Sequence, residues 1–206
     1  MTKIKCKVSG LSQRYQNFYL FKDLSFSISS GEIWIISGNN GAGKSSLLKI
    51  LSNGIEPYSG DSNLFIDEKK IEKENIWKYL SLVAPYQELP EELSLIELIR
   101  FQNQISDPET PVSGFEKLIK LFELENEINR PLGQFSTGMG QKCKIILAIG
   151  MSRPIILLDE PTSNLDASSF DKFWNLVEGM KEEHLIIVAT NDEKELSKGK
   201  LLLRLG

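Results

Sequence analysis

The octet Gly38-Asn39-Asn40-Gly41-Ala42-Gly43-Lys44-Ser45 constrains this chain more than any other feature. It follows the apolar run Ile33 to Ile36 and precedes Leu47, Leu48 and Leu51, which recur at helical spacing. The order is therefore strand, glycine-rich turn, helix. Glycines reach backbone angles closed to other residues, so successive N–H groups can turn into one anion nest. The helix that follows adds its positive N-terminal end. The octet fits the phosphate-loop pattern, in which Lys44 reaches the β and γ phosphates and the Ser45 hydroxyl ligates Mg²⁺, with Ser46 next in the first helical turn. A chance glycine turn would require neither the strand before it nor the helix after it.

A second acidic site lies downstream. Ile155-Ile156-Leu157-Leu158 is an apolar strand that ends in Asp159-Glu160. Asp159 at a strand's carboxyl end suits a Mg²⁺ contact beside the phosphates, and Glu160, one residue on, suits a general base that polarises water. Two acids at a strand exit are often only a solvated pair. Here they run on into Pro161-Thr162-Ser163-Asn164-Leu165-Asp166, a string far from random.

Around these two sites the pattern alternates strand and helix. Ile4 to Val8, Leu24 to Ile28 and Glu32 to Ser37 read as strands, the last with the continuous apolarity of a strand covered on both faces. From about Glu91 to Leu132 the spacing turns helical, with one helix around Leu95, Leu98, Ile99 and Phe101-Gln102, a second from Phe115 to Leu124, and Pro108 and Pro111 in the loop between. A helix from Gly140 to Met151, the strand at Ile155, a helix after Asp166 and a strand from Leu185 to Ala189 complete the order. The expected class is α/β: a P-loop core with a mixed sheet, N-terminal antiparallel strands and a helical subdomain at about 88–150 inserted into a single domain of 206 residues.

The string Leu157-Leu158-Asp159-Glu160-Pro161-Thr162-Ser163-Asn164-Leu165-Asp166, taken with the phosphate loop, resembles the nucleotide-binding domain of the ABC family over nearly the whole chain. The resemblance implies ATP and Mg²⁺ as cofactors, Asp159 as the metal-side acid, Glu160 as catalytic base, and Asn164 to Asp166 as a loop at a dimer seam. Gln87 sits where the family's glutamine contacts Mg²⁺ and senses the membrane partner. Tyr15 lies 29 residues before Lys44, close to the spacing of the family's adenine-stacking aromatic; a plain core or surface tyrosine is the alternative. Phe135-Ser136-Thr137-Gly138-Met139 occupies the family signature position. The Ser136 hydroxyl and Gly138 N–H there would make a second anion site, for the γ-phosphate held by the opposite subunit. One chain thus carries two half-sites, and the complete site implies a head-to-tail dimer with itself or a homologous subunit. Asn191 stands where the family usually has a γ-phosphate histidine; its amide can donate a hydrogen bond but cannot carry charge, which puts the hydrolysis rate in question. The only histidine, His184, begins the same strand and is expected at its far end.

Bulk properties set the partners. With net charge −4 the chain has no long-range pull toward nucleic acid, so none is expected as a partner. No apolar run approaches the about 18 to 20 residues that span a bilayer, and no apolar leader opens the chain. Cys6 and Cys143 match no metal or redox spacing and read as idle thiols. The expected setting is the cytoplasmic face of a membrane, reached through a separate integral-membrane permease. Few residues follow Asn191, so no added C-terminal regulatory domain is expected. That, with the Ser136-Thr137-Gly138-Met139 signature, is similar to small exporter ATP-binding subunits, including the haem-exporter type, and export is the favoured direction. Two rivals remain. A soluble ATP switch would need a second ATP domain or a long insert. A small-molecule kinase would share the phosphate loop but has no use for the signature.

Overall fold

The computed structural model describes residues 2–106 and 113–206, so the expected loop at Pro108 and Pro111 lies outside the described residues. The chain opens with a hairpin of β1 (Ile4–Tyr15) and β2 (Phe18–Ser29). β3 (Ile33–Gly38) leads through the glycine-rich turn into α1 (Lys44–Leu51). β4 (Ser59–Ile66), β5 (Lys69–Lys70), α2 (Ile76–Tyr79) and β6 (Leu80–Val83) follow. The helical stretch comprises α3 (Leu95–Ser106), α4 (Ser113–Leu121) and α5 (Thr137–Gly150). β7 (Ile155–Asp159), α6 (Ala167–Met180), β8 (Leu185–Thr190), α7 (Glu193–Leu196) and β9 (Lys200–Leu205) close the fold.

The strands form two sheets. One is antiparallel, in the order β2-β1-β4-β5; the other is parallel, in the order β6-β7-β8-β3-β9. The central strands β7, β8 and β3 are mostly apolar because both faces are covered, whereas the edge strand β9 carries Lys200 and Arg204 and is largely exposed. Alternation along each strand divides the core. Ile156, Leu158, Ile186 and Val188 pack toward α3 to α6, with Phe115, Phe122 and Phe173. Ile155, Leu157, Leu185 and Ile187 pack the other way, against α1 and the antiparallel sheet through Leu47, Leu48, Ile4 and Cys6. Fully burying one such side chain contributes about 1.5–3 kcal/mol.

Two strands, β1 and β2, exceed the sequence expectation, and four, β4, β5, β6 and β9, escape it. β1 and β2 are each 12 residues long, because register shifts after Val8 carry the pairing past Gly10 to Tyr15. β4 is Ser-Gly-Asp-Ser-Asn-Leu-Phe-Ile, turn-like in composition, and takes a strand form by pairing with β1 from Ile4↔Ile66 to Ser12↔Ser59. α5 begins at Thr137 rather than Gly140, because Ser136 caps it by accepting a hydrogen bond from Met139 N–H at 3.2 Å.

The parallel order places the site. β7, β8 and β3 are neighbours, with Asp159 opposite Ala189 and Thr190 opposite Ser37. The phosphate loop, Asp159-Glu160 and Thr190-Asn191 therefore leave the sheet along one carboxyl edge, where α/β sheets bind ligands.

Candidate nucleotide site

A cleft of about 560 Å³ opens at that edge. It is lined by Asn40, Gly41, Gly43, Lys44, Ser45 and Ser46 from the loop and α1, by Asp159 and Glu160 from the end of β7, and by Tyr15 on its rim. Gly41 and Gly43 have φ of 83° and 96°, left-handed values that favour glycine. Gly38 is fixed for a further reason: a Cβ there would lie 2.5 Å from the Leu205 carbonyl of β9. Lys44 is buried, and its Nζ donates to the carbonyls of Gly38 (2.8 Å) and Asn39 (3.2 Å) and lies 3.9 Å from Glu160 Oε1. Its cation thus stays beside the loop and the acid. Ala42 donates to the Asn39 carbonyl at 3.1 Å, closing the turn.

Asp159 is buried, and its Oδ2 has no hydrogen-bond partner. Burial pushes its pKa up, opposed by the Ser45 hydroxyl beside it, while the Glu160 charge pushes it up further. An orphaned buried carboxylate oxygen next to a serine hydroxyl suits a small hard cation. No cluster of three or more Asp, Glu, His or Cys exists among the described residues. Such a cation would therefore have to be held jointly with phosphate oxygens, as Mg²⁺ commonly is.

Glu160 has φ of 46°, uncommon for a side-chain-bearing residue, and its N–H donates to Ala189 O at 2.8 Å. This bend turns its carboxylate out of the strand line into the cleft, and such strain is usual where function holds a residue in place. Tyr15 is 69% exposed, a free aromatic face at the cleft mouth rather than a core residue. Tyr86 also lines the cleft and is not evident from the sequence, although it stands between Pro85 and the singled-out Gln87. Lys49 Nζ lies 3.9 Å over its ring, and burial pushes its hydroxyl pKa up to about 12.

The other expected residues lie elsewhere. A larger cleft of about 840 Å³ is lined by Gln87, Ser136, Thr137, Gly140 and Asn164, and its lining shares only Pro85 with the first. Gln87 Oε1 accepts from Ala84 N–H at 2.8 Å, and Gln87 is not among the residues that line the first cleft. Gly138 approaches the loop at Asn164: a Cβ there would meet Asn164 O at 2.8 Å. Met139 is half-buried in the first turn of α5. Asp166 caps α6, accepting from Ser169 N–H (2.8 Å) and Oγ–H (3.0 Å), with Lys142 Nζ at 3.4 Å. Those bonds lower its pKa to about 2. Asn191 Nδ2 donates to Asn40 Oδ1 at 2.7 Å, which ties the end of β8 to the phosphate loop. His184 is half-buried at the other end of β8, its Nδ1 against Met180 O at 3.1 Å.

A glycine-rich strand–turn–helix with a buried lysine and a neighbouring strand ending in acids defines a P-loop nucleotide-binding domain. Residues 21–163 match the ABC transporter family. The chain is 30% identical to the cytochrome c biogenesis ATP-binding export protein CcmA of Rhizobium meliloti (strain 1021), covering 92% of each. It is 29% identical to the human phospholipid-transporting ATPase ABCA3 over 85% of this chain but only 10% of that one. Among solved structures, a dimeric bacterial ABC transporter cassette superposes with a TM-score of 0.84 over 97% of this chain and 94% of that chain, at 24% identity, which shows the shared fold. The chain belongs to the ABC transporter family and is an ATP-binding domain of that kind. No helix among the described residues is long and apolar enough to cross a membrane.

Proposed function

We propose that this chain hydrolyses ATP in a head-to-tail pair, with itself or a homologous subunit, and thereby drives a separate membrane permease. The observation that carries the reading is the separation of two half-sites on one chain. Lys44, Ser45, Asp159, Glu160 and Tyr15 line one cleft, and Ser136 and Thr137 line another. Pairing two copies head to tail would set each signature helix against the other's phosphate loop.

In the proposed reaction Tyr15 stacks on the adenine, and the N–H groups of residues 38–45 and Lys44 hold the phosphates. Ser45 and Asp159 would hold Mg²⁺, which when bound would supply positive charge beside the phosphates. Glu160 orients and deprotonates the attacking water. The N-terminal end of the partner's α5, with its Ser136 cap and Gly138, opposes charge that develops on the γ-phosphate. Asn191 adds a neutral amide contact after leaving Asn40. Gln87 and the segment to Leu98 face the permease, and the whole chain acts as one domain with 88–150 as its helical arm. Export is the proposed direction, supported by the similarity, over 92% of each chain, to a protein named as an ATP-binding export protein. The working location is then the cytoplasmic side of the membrane, at the permease.

Turnover of wild type beside Glu160→Gln tests this. Expected is a loss of about 10²-fold or more, with an ATP-dependent dimer accumulating in the variant. Turnover that survives in Glu160→Gln overturns the assignment of the base. Asn191→Ala and Asn191→His, compared in the same assay, read the amide: unchanged rates in both overturn its phosphate contact.

A further inference from the structure

One buried acid takes no part in that reaction. Glu195, in α7, is 1% exposed, and among the described residues no lysine or arginine forms an ion pair with it. Its Oε1 accepts two hydrogen bonds from Thr162, one from the backbone N–H at 3.1 Å and a short one from the hydroxyl. Oε2 makes no hydrogen bond among the described residues; burial pushes the Glu195 pKa up, opposed by the Thr162 and Thr190 hydroxyls. A carboxylate so placed is costly to bury, and an apolar side chain of similar volume would fill the space more cheaply.

The cost gains meaning from the partners. Thr162 is two residues after Glu160, and Thr190 is one residue before Asn191. Asp192 holds the turn that aims Glu195 inward: its N–H donates to Thr190 Oγ1 at 2.9 Å, and its Oδ1 accepts from Lys194 N–H at 2.7 Å and Glu195 N–H at 3.3 Å. The segment after Glu160 is also gripped by α5. Buried Gln141, on α5, donates to the Pro161 carbonyl at 2.6 Å. The exits of β7 and β8 and the signature helix thus meet at Pro161-Thr162.

We propose that Glu195 is a positioning residue, whose carboxylate holds Thr162 against the end of β8 and so fixes where the Glu160 carboxylate sits relative to the phosphate loop. This rests on the reading that Glu160 activates water. Its bent backbone leaves the direction of that side chain to whatever holds the next residues, and Pro161 and Thr162 are held by Gln141 and Glu195. A displacement of about 1 Å at a catalytic group costs on the order of 10²-fold in rate, so loss of the grip acts on turnover rather than on ATP binding.

The test uses the full chain with Glu195→Ala, Glu195→Gln, Thr162→Val and the Glu195→Ala/Thr162→Val pair, beside wild type and Glu160→Gln. Expected for Glu195→Ala and for Thr162→Val is a fall in kcat of about 10- to 100-fold with KM for ATP within about twofold. Glu195→Gln, whose amide oxygen still accepts from Thr162, restores kcat to within about threefold, and the pair is no worse than the worse single change. Hydrogen exchange without nucleotide gives a second readout: amides of 160–166 speed up in Glu195→Ala while those of β3 and α1 do not. If Glu195→Ala loosens everywhere, Thr162→Val, which keeps the backbone bond, decides. Unchanged kcat in Thr162→Val, or a raised KM at constant kcat, overturns the positioning role while a dead Glu160→Gln leaves the base assignment standing. Turnover surviving in Glu160→Gln overturns both.

Discussion

Asp159→Asn isolates what the orphaned oxygen at the end of β7 does. In the fold, Asp159 Oδ2 is buried and unpartnered. Lys44, the nearest cation of the loop, is committed to the carbonyls of Gly38 and Asn39 at 2.8 and 3.2 Å. Leaving a buried acceptor unsatisfied costs about 1–3 kcal/mol, more when it is charged. A neutral amide of the same shape is cheaper to desolvate but brings an N–H₂ that must also find partners, so the net gain falls at the low end, about 1–2 kcal/mol. For a chain of this size each kcal/mol moves the melting temperature by about 2–4 °C. Thermal unfolding without nucleotide should therefore show Asp159→Asn about 2–8 °C above wild type. The order should reverse with Mg²⁺ and ATP. Ligand at 100 times its Kd adds about 2.7 kcal/mol to wild type, and the variant should lose the part of that gain that depends on Mg²⁺ while keeping the gain from ATP with EDTA. A variant that melts at or below wild type without ligand, or that keeps the full Mg²⁺-dependent gain, refutes the view that this carboxylate is held at a cost for a cation.

Two further changes probe the second half-site. Asp166→Ala removes the cap of α6 and should cost about 1 kcal/mol. Because hydrogen bonds from Ser169 depress the Asp166 pKa to about 2, the cap's contribution is fully present above the ordinary aspartate value of about 3.9. It is lost as pH falls toward 2, so the gap in melting temperature between wild type and variant should narrow over that window; a gap that stays constant to pH 2 would count against the ionised cap. Gly138→Ala places a Cβ 2.8 Å from the Asn164 carbonyl, forcing the start of α5 and the seam loop apart. ATP affinity of the monomer should stay within about twofold, since Gly138 is not in the phosphate cleft, while the ATP-dependent dimer and turnover are lost. Weakened monomer binding with an intact dimer would contradict that placement.

The sequence was legible where chemistry demands contiguous residue types. An anion nest needs glycines, lysine and serine in fixed succession, and Asp159-Glu160 follows an apolar strand directly, so both motifs and the central strands β3, β7 and β8 could be read in one pass, while the outer strands β6 and β9 could not. β4 was not legible, because Ser59-Gly60-Asp61-Ser62-Asn63 carries turn composition and becomes a strand only through β1. Tyr86 needed the fold to bring a loop beside α1. Gln141 and Glu195 were hidden for a different reason: their bonds to Pro161 and Thr162 span 20 and 33 positions, with no local pattern to announce them.

Those long-range bonds bear on how the two half-sites communicate. Glu160 and Asn191 leave neighbouring strands, and Ser136 begins a helix that reaches the same Pro161-Thr162 pair through Gln141. A shift of α5, caused by a phosphate docking at its N-terminal end, would pull through Gln141 on Pro161, the residue after Glu160, and through Lys144 on Pro85 at the cleft wall. Coupling needs contacts that have two discrete arrangements, and side-chain hydrogen bonds to a bent loop are better suited to that than the packed apolar strands beneath. The direction of influence then runs from signature to base: the partner's triphosphate would set the position of this chain's Glu160. Hydrolysis in one site would accordingly depend on occupancy of the other, and turnover should rise with more than the first power of ATP in wild type but approach the first power when Gln141→Leu cuts the link.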